Sequence, residues 1–256
     1  MKPHRSACFL SFCATFVFVG LASGQIVFDV NFESPTYTLG NANGQDNWSA
    51  PFGFNDIVNT KAHGGTQSFR TTSGPGGARA FEVPPFTFDV SVANDFWLET
   101  YVYVVPSAGS TASFGVGNVL GAAFGFGISD SGTVSFNGGS VLGTTRELGS
   151  VVLDKWLRMR VEHLASSPTF LHMTLTGQGV DESANVGYSA AASVQSYLSV
   201  DMRNLGVAYW DDMKAAYGPA PVPEPGVVAL VGVSAGLFSL RRRHGSRVRL
   251  YAKSSG

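Results

Sequence analysis

The chain has 256 residues, a formal net charge of −1, 31 glycines, 19 phenylalanines and two cysteines. Both cysteines, Cys8 and Cys13, lie in the first 24 residues, so the rest of the chain has no thiol for a disulfide, a cysteine metal site or a cysteine nucleophile. Residues 25–218 contain nine basic and seventeen acidic residues, a formal net charge of −8. This charge repels phosphate backbones and argues against nucleic acid as a partner.

The first 24 residues have the three parts of a secretory signal peptide. Lys2 and Arg5 form the positive start. An apolar run follows to Leu21, and small residues precede Gln25. The run is too short to cross a bilayer, which favours a cleaved signal peptide over a buried helix. We therefore expect an exported protein of the cell envelope or cell surface, or one that is secreted after C-terminal processing.

Residues 25–218 are predicted to form one all-β domain, an antiparallel two-sheet jelly-roll sandwich. Apolar and polar residues alternate, β-branched and aromatic residues are frequent, turn residues separate the runs, and no stretch keeps a helical period over three turns. The predicted strands are Ile26–Phe32, Phe96–Val105, Thr111–Gly117, Ala122–Ile128, Thr133–Phe136, Trp156–His163, Phe170–Leu175 and Val207–Tyr217. Of these, Trp156–His163 and Phe170–Leu175 are predicted to form a hairpin.

The C-terminal region has three elements in order. A proline-rich linker spans residues 219–225, an uncharged apolar segment spans 226–240, and a basic tail spans 241–256. As a helix, the apolar segment would reach only about 22 Å, short of a ~30 Å hydrocarbon core. The basic tail stays on the cytoplasmic side, so residues 25–218 face outward. We expect a short transmembrane helix that is a weak membrane anchor.

The linker ends in Val222, Pro223, Glu224 and Pro225. With the apolar segment and the arginine-rich tail behind it, this motif resembles the PEP-CTERM sorting signal. In that family a membrane transpeptidase-like enzyme, the exosortase, recognises the motif, removes the tail and passes the protein on to the envelope. The resemblance therefore implies an exosortase-like partner, and it describes sorting rather than the role of the exported domain.

Four segments of the exported domain carry a second resemblance: Phe28–Glu33, Phe96–Val105, Lys155–Val161 and Trp210–Lys214. In their order they resemble strands of the concanavalin A-like, or laminin-G-like, jelly roll. The resemblance covers nearly the whole domain and rests on a pattern rather than on one motif. It implies that the first and last strands pair.

Glu33, Asp211 and Asp212 are the candidate metal ligands. Carbohydrate-binding jelly rolls often hold a structural calcium between a glutamate that ends the first strand and an aspartate in the last, and this sequence has those residue types there. Calcium takes about six to eight oxygen ligands, so backbone carbonyls would complete the set. The resemblance thus implies calcium as a structural cofactor; the alternative is that these acids occupy solvent-facing strand ends.

Trp48 is the candidate ligand contact. It lies in the polar segment 43–49, and loop aromatics are well placed to contact ligands. Trp97, Trp156 and Trp210 lie in predicted strands, where core packing is favoured. The jelly-roll resemblance implies the alternative, that Trp48 covers one end of the sandwich.

The sequence shows no catalytic pattern. The adjacent pairs Asp181-Glu182 and Asp211-Asp212 would point to opposite faces of extended strands, so neither offers the two carboxylates of a glycosidase. The one G-x-S-x-G match, at residues 232–236, lies in the apolar tail.

We therefore expect a non-catalytic, surface-displayed protein of the envelope or of its extracellular polysaccharide matrix. The alternatives are a carbohydrate-binding, lectin-like module and a degenerate glycoside hydrolase or polysaccharide lyase, because one fold hosts all three.

Overall fold

A computed structural model describes nine stretches of the chain. The predicted signal peptide and the three C-terminal elements after residue 218 lie outside them. Within the described residues there is no helix, and so none long and apolar enough to cross a membrane. The described residues are 25–73, 78–82, 88–118, 121–137, 145–177, 180–187, 194–195, 197–203 and 206–218.

The described residues form eighteen strands, and every ladder between them is antiparallel. The strands are β1 (Ile26–Val30), β2 (Gly40–Asn41), β3 (Trp48–Phe52), β4 (Phe54–Val58), β5 (Ser68–Thr72), β6 (Ala78–Glu82), β7 (Phe88–Asp89), β8 (Phe96–Val105), β9 (Thr111–Asn118), β10 (Gly121–Ser129), β11 (Thr133–Asn137), β12 (Thr145–Ser150), β13 (Trp156–His163), β14 (Phe170–Gly177), β15 (Val180–Gly187), β16 (Val194–Gln195), β17 (Tyr197–Arg203) and β18 (Val207–Tyr217).

Two large sheets account for most of these strands. The nine-stranded sheet of the described residues has the order β15-β14-β13-β8-β18-β5-β4-β2, with β1 paired to β18 beside this path. The seven-stranded sheet has the order β12-β11-β10-β9-β17-β6-β3, and β7 and β16 form a small separate pair. The predicted all-β, antiparallel two-sheet architecture is confirmed. So are the β13–β14 hairpin and the pairing of the first strand with the last.

The core lies between the two large sheets. Alternate residues of β8, such as Leu98 and Val102, are buried and face the seven-stranded sheet. Phe96 contacts Phe124 of β10 with ring centroids 6.2 Å apart, which joins one sheet to the other. We call the opposite side of the nine-stranded sheet its outer face; it carries the remaining side chains of β8, β13, β14 and β18.

Candidate functional site

The last strand changes partner halfway along its length. Its first half, from Val207 to Trp210, pairs with β5, and its second half, from Met213, pairs with β1. Between the halves the pairing with β8 is interrupted by a bulge, in which Asp212 has a φ of 47°. A bulge adds a residue and redirects the side chains around it, so this is where the strict alternation of a strand fails.

The bulge brings two carboxylates to one loop. We call residues 59–67, which join β4 to β5, the latch loop. Asp211 Oδ2 accepts hydrogen bonds from the backbone N–H groups of His63 at 2.8 Å and Gly64 at 3.2 Å. Asp212 Oδ2 lies 2.9 Å from His63 Nδ1. The prediction that Asp211 and Asp212 point to opposite faces is therefore wrong, because the bulge breaks the alternation on which it rested.

Glu33 holds the other end of the latch loop. Its carboxylate accepts bonds from the Thr66 N–H at 2.7 Å, the Thr66 hydroxyl at 2.8 Å and the Gln67 N–H at 2.8 Å. Burial works to raise the pKa of Glu33, but these donors outweigh it and the pKa is lowered. Gly65 has a φ of 61°, and a Cβ there would collide with Glu33 Oε1, so the loop needs a glycine at this position.

Asp211 is fully buried beneath the same loop. Burial raises its pKa from 3.8 to about 6, although the hydrogen bonds from the N–H groups of His63, Asp212 and Gly64 act in the opposite direction. A carboxylate that is buried yet surrounded by backbone donors ties the latch loop to the centre of the nine-stranded sheet. This is a structural role, since each bond joins the Asp211 side chain to a backbone N–H group.

The arrangement bears on the predicted calcium. The oxygens of Glu33 and Asp211 face N–H and O–H donors, which a cation would have to displace. As they stand, these residues do not fit a calcium ion. The described residues contain no group of three or more histidine, cysteine, aspartate or glutamate side chains that could hold a metal. Calcium binding through Glu33, Asp211 and Asp212 stays a prediction, and it would require the latch loop to give up bonds it makes here.

The latch loop lies across aromatic side chains of the outer face. The His63 ring stacks on Tyr101 with centroids 3.5 Å apart, and the Lys61 ammonium lies 3.4 Å from the centre of the Tyr103 ring. Tyr103 in turn meets Trp156 of β13 edge to face at 5.7 Å. Burial raises the pKa of the Tyr101 hydroxyl. The loop therefore covers part of an aromatic row, of which Trp156 remains half-buried.

Trp48 is not in a loop, and it is not at the surface. It begins β3, its side chain is 1% exposed, and its ring packs against Phe69 at 4.7 Å and Phe32 at 5.8 Å. Its Nε1 donates to the Tyr37 hydroxyl at 3.3 Å. The prediction of Trp48 as a ligand contact is wrong in this structure, because tertiary packing from distant segments covers a residue whose immediate neighbours are polar.

An ion-pair network occupies the middle of the outer face. Glu99 Oε2 accepts from Arg158 Nη2 at 2.6 Å and from Arg160 Nε at 2.7 Å. Arg160 also reaches Glu162 Oε1 at 3.3 Å and lies over the Trp97 ring at 5.4 Å. Burial acts to lower the pKa of Arg158, but the bond to Glu99 outweighs it and the pKa is raised. The network fixes the side chains of β8 and β13 and uses Glu99 as an internal counter-ion.

A cleft of about 250 Å³ adjoins this network where β13 turns into β14. Glu162, His172 and Asn185 face one another across three neighbouring strands. His172 Nδ1 lies within hydrogen-bond distance of Asn185 Oδ1, at 2.8 Å. Two large apolar side chains form the rim, with Phe170 48% exposed and Leu164 42% exposed.

Polar side chains continue from this cleft along β14 and β15. We call His172, Thr174 and Thr176 of β14, with Ser183 and Asn185 of β15, the polar strip; register places all five on the outer face. All are exposed or half-exposed. Within the described part of the chain, the hydroxyls of Thr174, Thr176 and Ser183 make no side-chain hydrogen bond. The strip therefore offers donors and acceptors to something outside the chain.

Comparisons with known proteins bear on the fold. No protein-family profile matches the chain, and no curated protein matches it in sequence. The chain is similar in structure to a carbohydrate esterase from the Shiga toxin-encoding bacteriophage phi24B, with 13% identity, a TM-score of 0.54 and coverage of 77% of this chain and 100% of that one. A Bacillus subtilis protein of unknown function with a galectin-like fold has 9% identity, a TM-score of 0.53 and coverage of 77% and 98%.

A third similar structure is the binding domain of Paraclostridial mosquitocidal protein 1, with 10% identity, a TM-score of 0.53 and coverage of 77% of this chain and 50% of that one. This chain therefore spans about half the length of that structure. Identities this low show a shared fold. The class that the fold defines is a galectin-like, jelly-roll β-sandwich.

Proposed function

We propose that the exported domain is a non-catalytic carbohydrate-binding module that contacts glycans through the outer face of its nine-stranded sheet. The observation that carries this proposal is the cleft at Glu162, His172 and Asn185, which opens onto the polar strip. The cleft and the strip offer a carboxylate, an imidazole, an amide and hydroxyls that have no partner among the described residues. These groups match the alternating donors and acceptors of sugar hydroxyl groups. The exposed ring of Phe170 supplies an apolar surface for the C–H face of a pyranose.

Two further observations support this proposal, the first for carbohydrate binding and the second against catalysis. The similar phage structure is described as a carbohydrate esterase, and the other similar structures include a binding domain and a galectin-like fold. On the outer face of the described residues, Glu99 and Glu162 are engaged by arginines. Two carboxyl groups held for acid–base work would instead face a shared substrate.

The first test is binding of the purified protein to a glycan array and to immobilised polysaccharides. We expect binding, and we expect His172→Ala to weaken it about tenfold, the effect of losing roughly one hydrogen bond to the ligand. Asp29→Ala changes another exposed polar residue, on β1, and should leave binding unchanged. No reducing sugar or unsaturated end should be released. Absence of binding to every glycan would contradict the proposal.

We further propose that the domain reaches the cell surface by the sorting route that the C-terminal motif implies. An exosortase-like enzyme would recognise Pro223-Glu224-Pro225 and remove the residues behind it. We expect C-terminal mass spectrometry of the surface form to find no residue from the basic tail. Replacing Pro223 and Pro225 by alanine should leave the uncut form in the membrane. A surface form that still contains Arg241 to Arg243 would contradict this.

A further inference from the structure

We infer that the ligand is a linear, uncharged glycan chain, bound along β14 with aromatic contacts at both ends of the polar strip. This rests on the proposed carbohydrate-binding function and adds the class of glycan. The alternative is recognition of a single terminal sugar in the cleft. The length of the strip, the placement of its aromatic residues and its charge all favour a chain.

The first argument is the length of the strip. Phe170 and Thr176 are six residues apart on one strand, which corresponds to about 20 Å at the rise of an antiparallel strand. His172 and Thr174 lie between them on the same face, because alternate residues of a strand share a face. Several linked sugar units are needed to cover this distance. A single sugar would fill the cleft and leave the hydroxyls of Thr174 and Thr176 without a partner.

The second argument is that aromatic residues stand at both ends. Phe170 is exposed at the start of β14, beside the cleft. At the other end Gly177 packs against the backbone of Trp156, where a Cβ would meet the Trp156 carbonyl oxygen at 2.7 Å. Trp156 is half-buried on the outer face, and the latch loop lies beyond it, with His63 5.7 Å from its ring. Trp156 and the latch loop thus mark the end of the strip.

The third argument is the charge beside the strip. The two guanidinium groups there, of Arg158 and Arg160, are already bonded to Glu99 and Glu162. Asp181 adds a further exposed negative charge next to Thr176. Three carboxylates against two guanidinium groups, in a domain of net charge −8, repel uronate and sulfate groups. An uncharged glycan avoids this repulsion.

Calorimetry of the purified protein with neutral linear oligosaccharides of increasing length tests the inference. We expect the affinity to rise at least about tenfold from disaccharide to hexasaccharide. Phe170→Ala should weaken every length, whereas Trp156→Ala should weaken the longer oligosaccharides alone. Thr176→Val removes one hydroxyl near Trp156 with little change of shape. It should weaken binding of the longer oligosaccharides, but by less than Trp156→Ala does. Melting curves establish that each variant is folded.

Phe54→Ala is the matched control, because Phe54 is 69% exposed on β4, four strands from β13 in the same sheet, or about 19 Å away. It should change no affinity. Binding that is equal at all lengths, or unaltered by Trp156→Ala, would overturn the extended site and leave carbohydrate binding intact. Tighter binding of uronate-containing or sulfated chains would overturn the uncharged class. Failure to bind any glycan would instead overturn the proposed function itself.

Discussion

Trp210→Ala is expected to lower the free energy of unfolding by about 3–5 kcal/mol, the usual range for removing a buried aromatic side chain. Trp210 is 1% exposed and lies in β18, the strand that joins β8 to β5. Its ring contacts Phe114 of the other sheet with centroids 6.3 Å apart. Because a domain of this size is stable by only about 5–15 kcal/mol, this one substitution should remove a large share of the total.

The loss has a polar component as well. Trp210 Nε1 donates to the Thr71 hydroxyl at 3.0 Å inside the core. Trp210→Phe keeps most of the ring but removes the donor, so it should cost less, about 1–2 kcal/mol. Thr71→Val removes the acceptor and leaves the indole N–H buried without it, which should have a similar effect.

Trp156→Ala is the matched control, since it removes the same residue type from a half-buried position on the outer face. We expect it to cost less than half as much as Trp210→Ala, because less surface is taken from the core. Unfolding in urea, followed by tryptophan fluorescence at one pH, gives all four values. Equal losses for Trp156→Ala and Trp210→Ala would contradict the assignment of inner and outer faces.

Strands with dense alternation were predictable from the sequence. Phe96–Val105, Trp156–His163 and Val207–Tyr217 have the predicted bounds in the structure. In the first two strands, and in Val207–Tyr217 on either side of its bulge, apolar residues recur at nearly every second position. Burial on one face follows from that pattern. These strands lie side by side as β13, β8 and β18 and form the centre of the nine-stranded sheet, an adjacency that the sequence analysis did not predict.

The polar strip could not be found this way. Two of its five residues lie on β15, whose sequence Val-Asp-Glu-Ser-Ala-Asn-Val-Gly has no run of apolar residues at alternate positions. As an edge strand in the described sheet, β15 is defined by its pairing with β14 rather than by its own composition. Neither Ser183 nor Asn185 could therefore be placed beside His172.

The site at Asp211 and Asp212 was partly predictable. Its position in the last strand and its proximity to Glu33 follow from the pairing of β1 with β18. Asp211 and Glu33 do accept hydrogen bonds from the same loop. The bulge was not predictable, because it arises where β18 exchanges one partner for another. A partner exchange is a property of the whole sheet, and no local pattern encodes it.

Asp211→Asn is expected to remove a pH dependence from the stability of the domain. The pKa of Asp211 is 3.8 in an ordinary setting and about 6 in the folded domain, where burial disfavours its charge. Between about pH 4 and pH 6 the folded domain holds a proton on Asp211 that the unfolded chain has released. The free energy of unfolding therefore falls as the pH rises through this window. We expect a change of about 1–3 kcal/mol, at most the free energy that corresponds to the pKa shift.

Glu33→Gln provides the control of opposite sign at the other end of the latch loop. The pKa of Glu33 is lowered in the folded domain, so its contribution is present above its ordinary value of 4.5 and is lost as the pH falls. Urea unfolding of the wild type and both variants from pH 3 to pH 7 gives two difference curves. The advantage of the wild type over Asp211→Asn should shrink as the pH rises, and its advantage over Glu33→Gln should grow. Difference curves of the same slope would show that the two carboxylates do not hold the latch loop in the way their hydrogen bonds indicate.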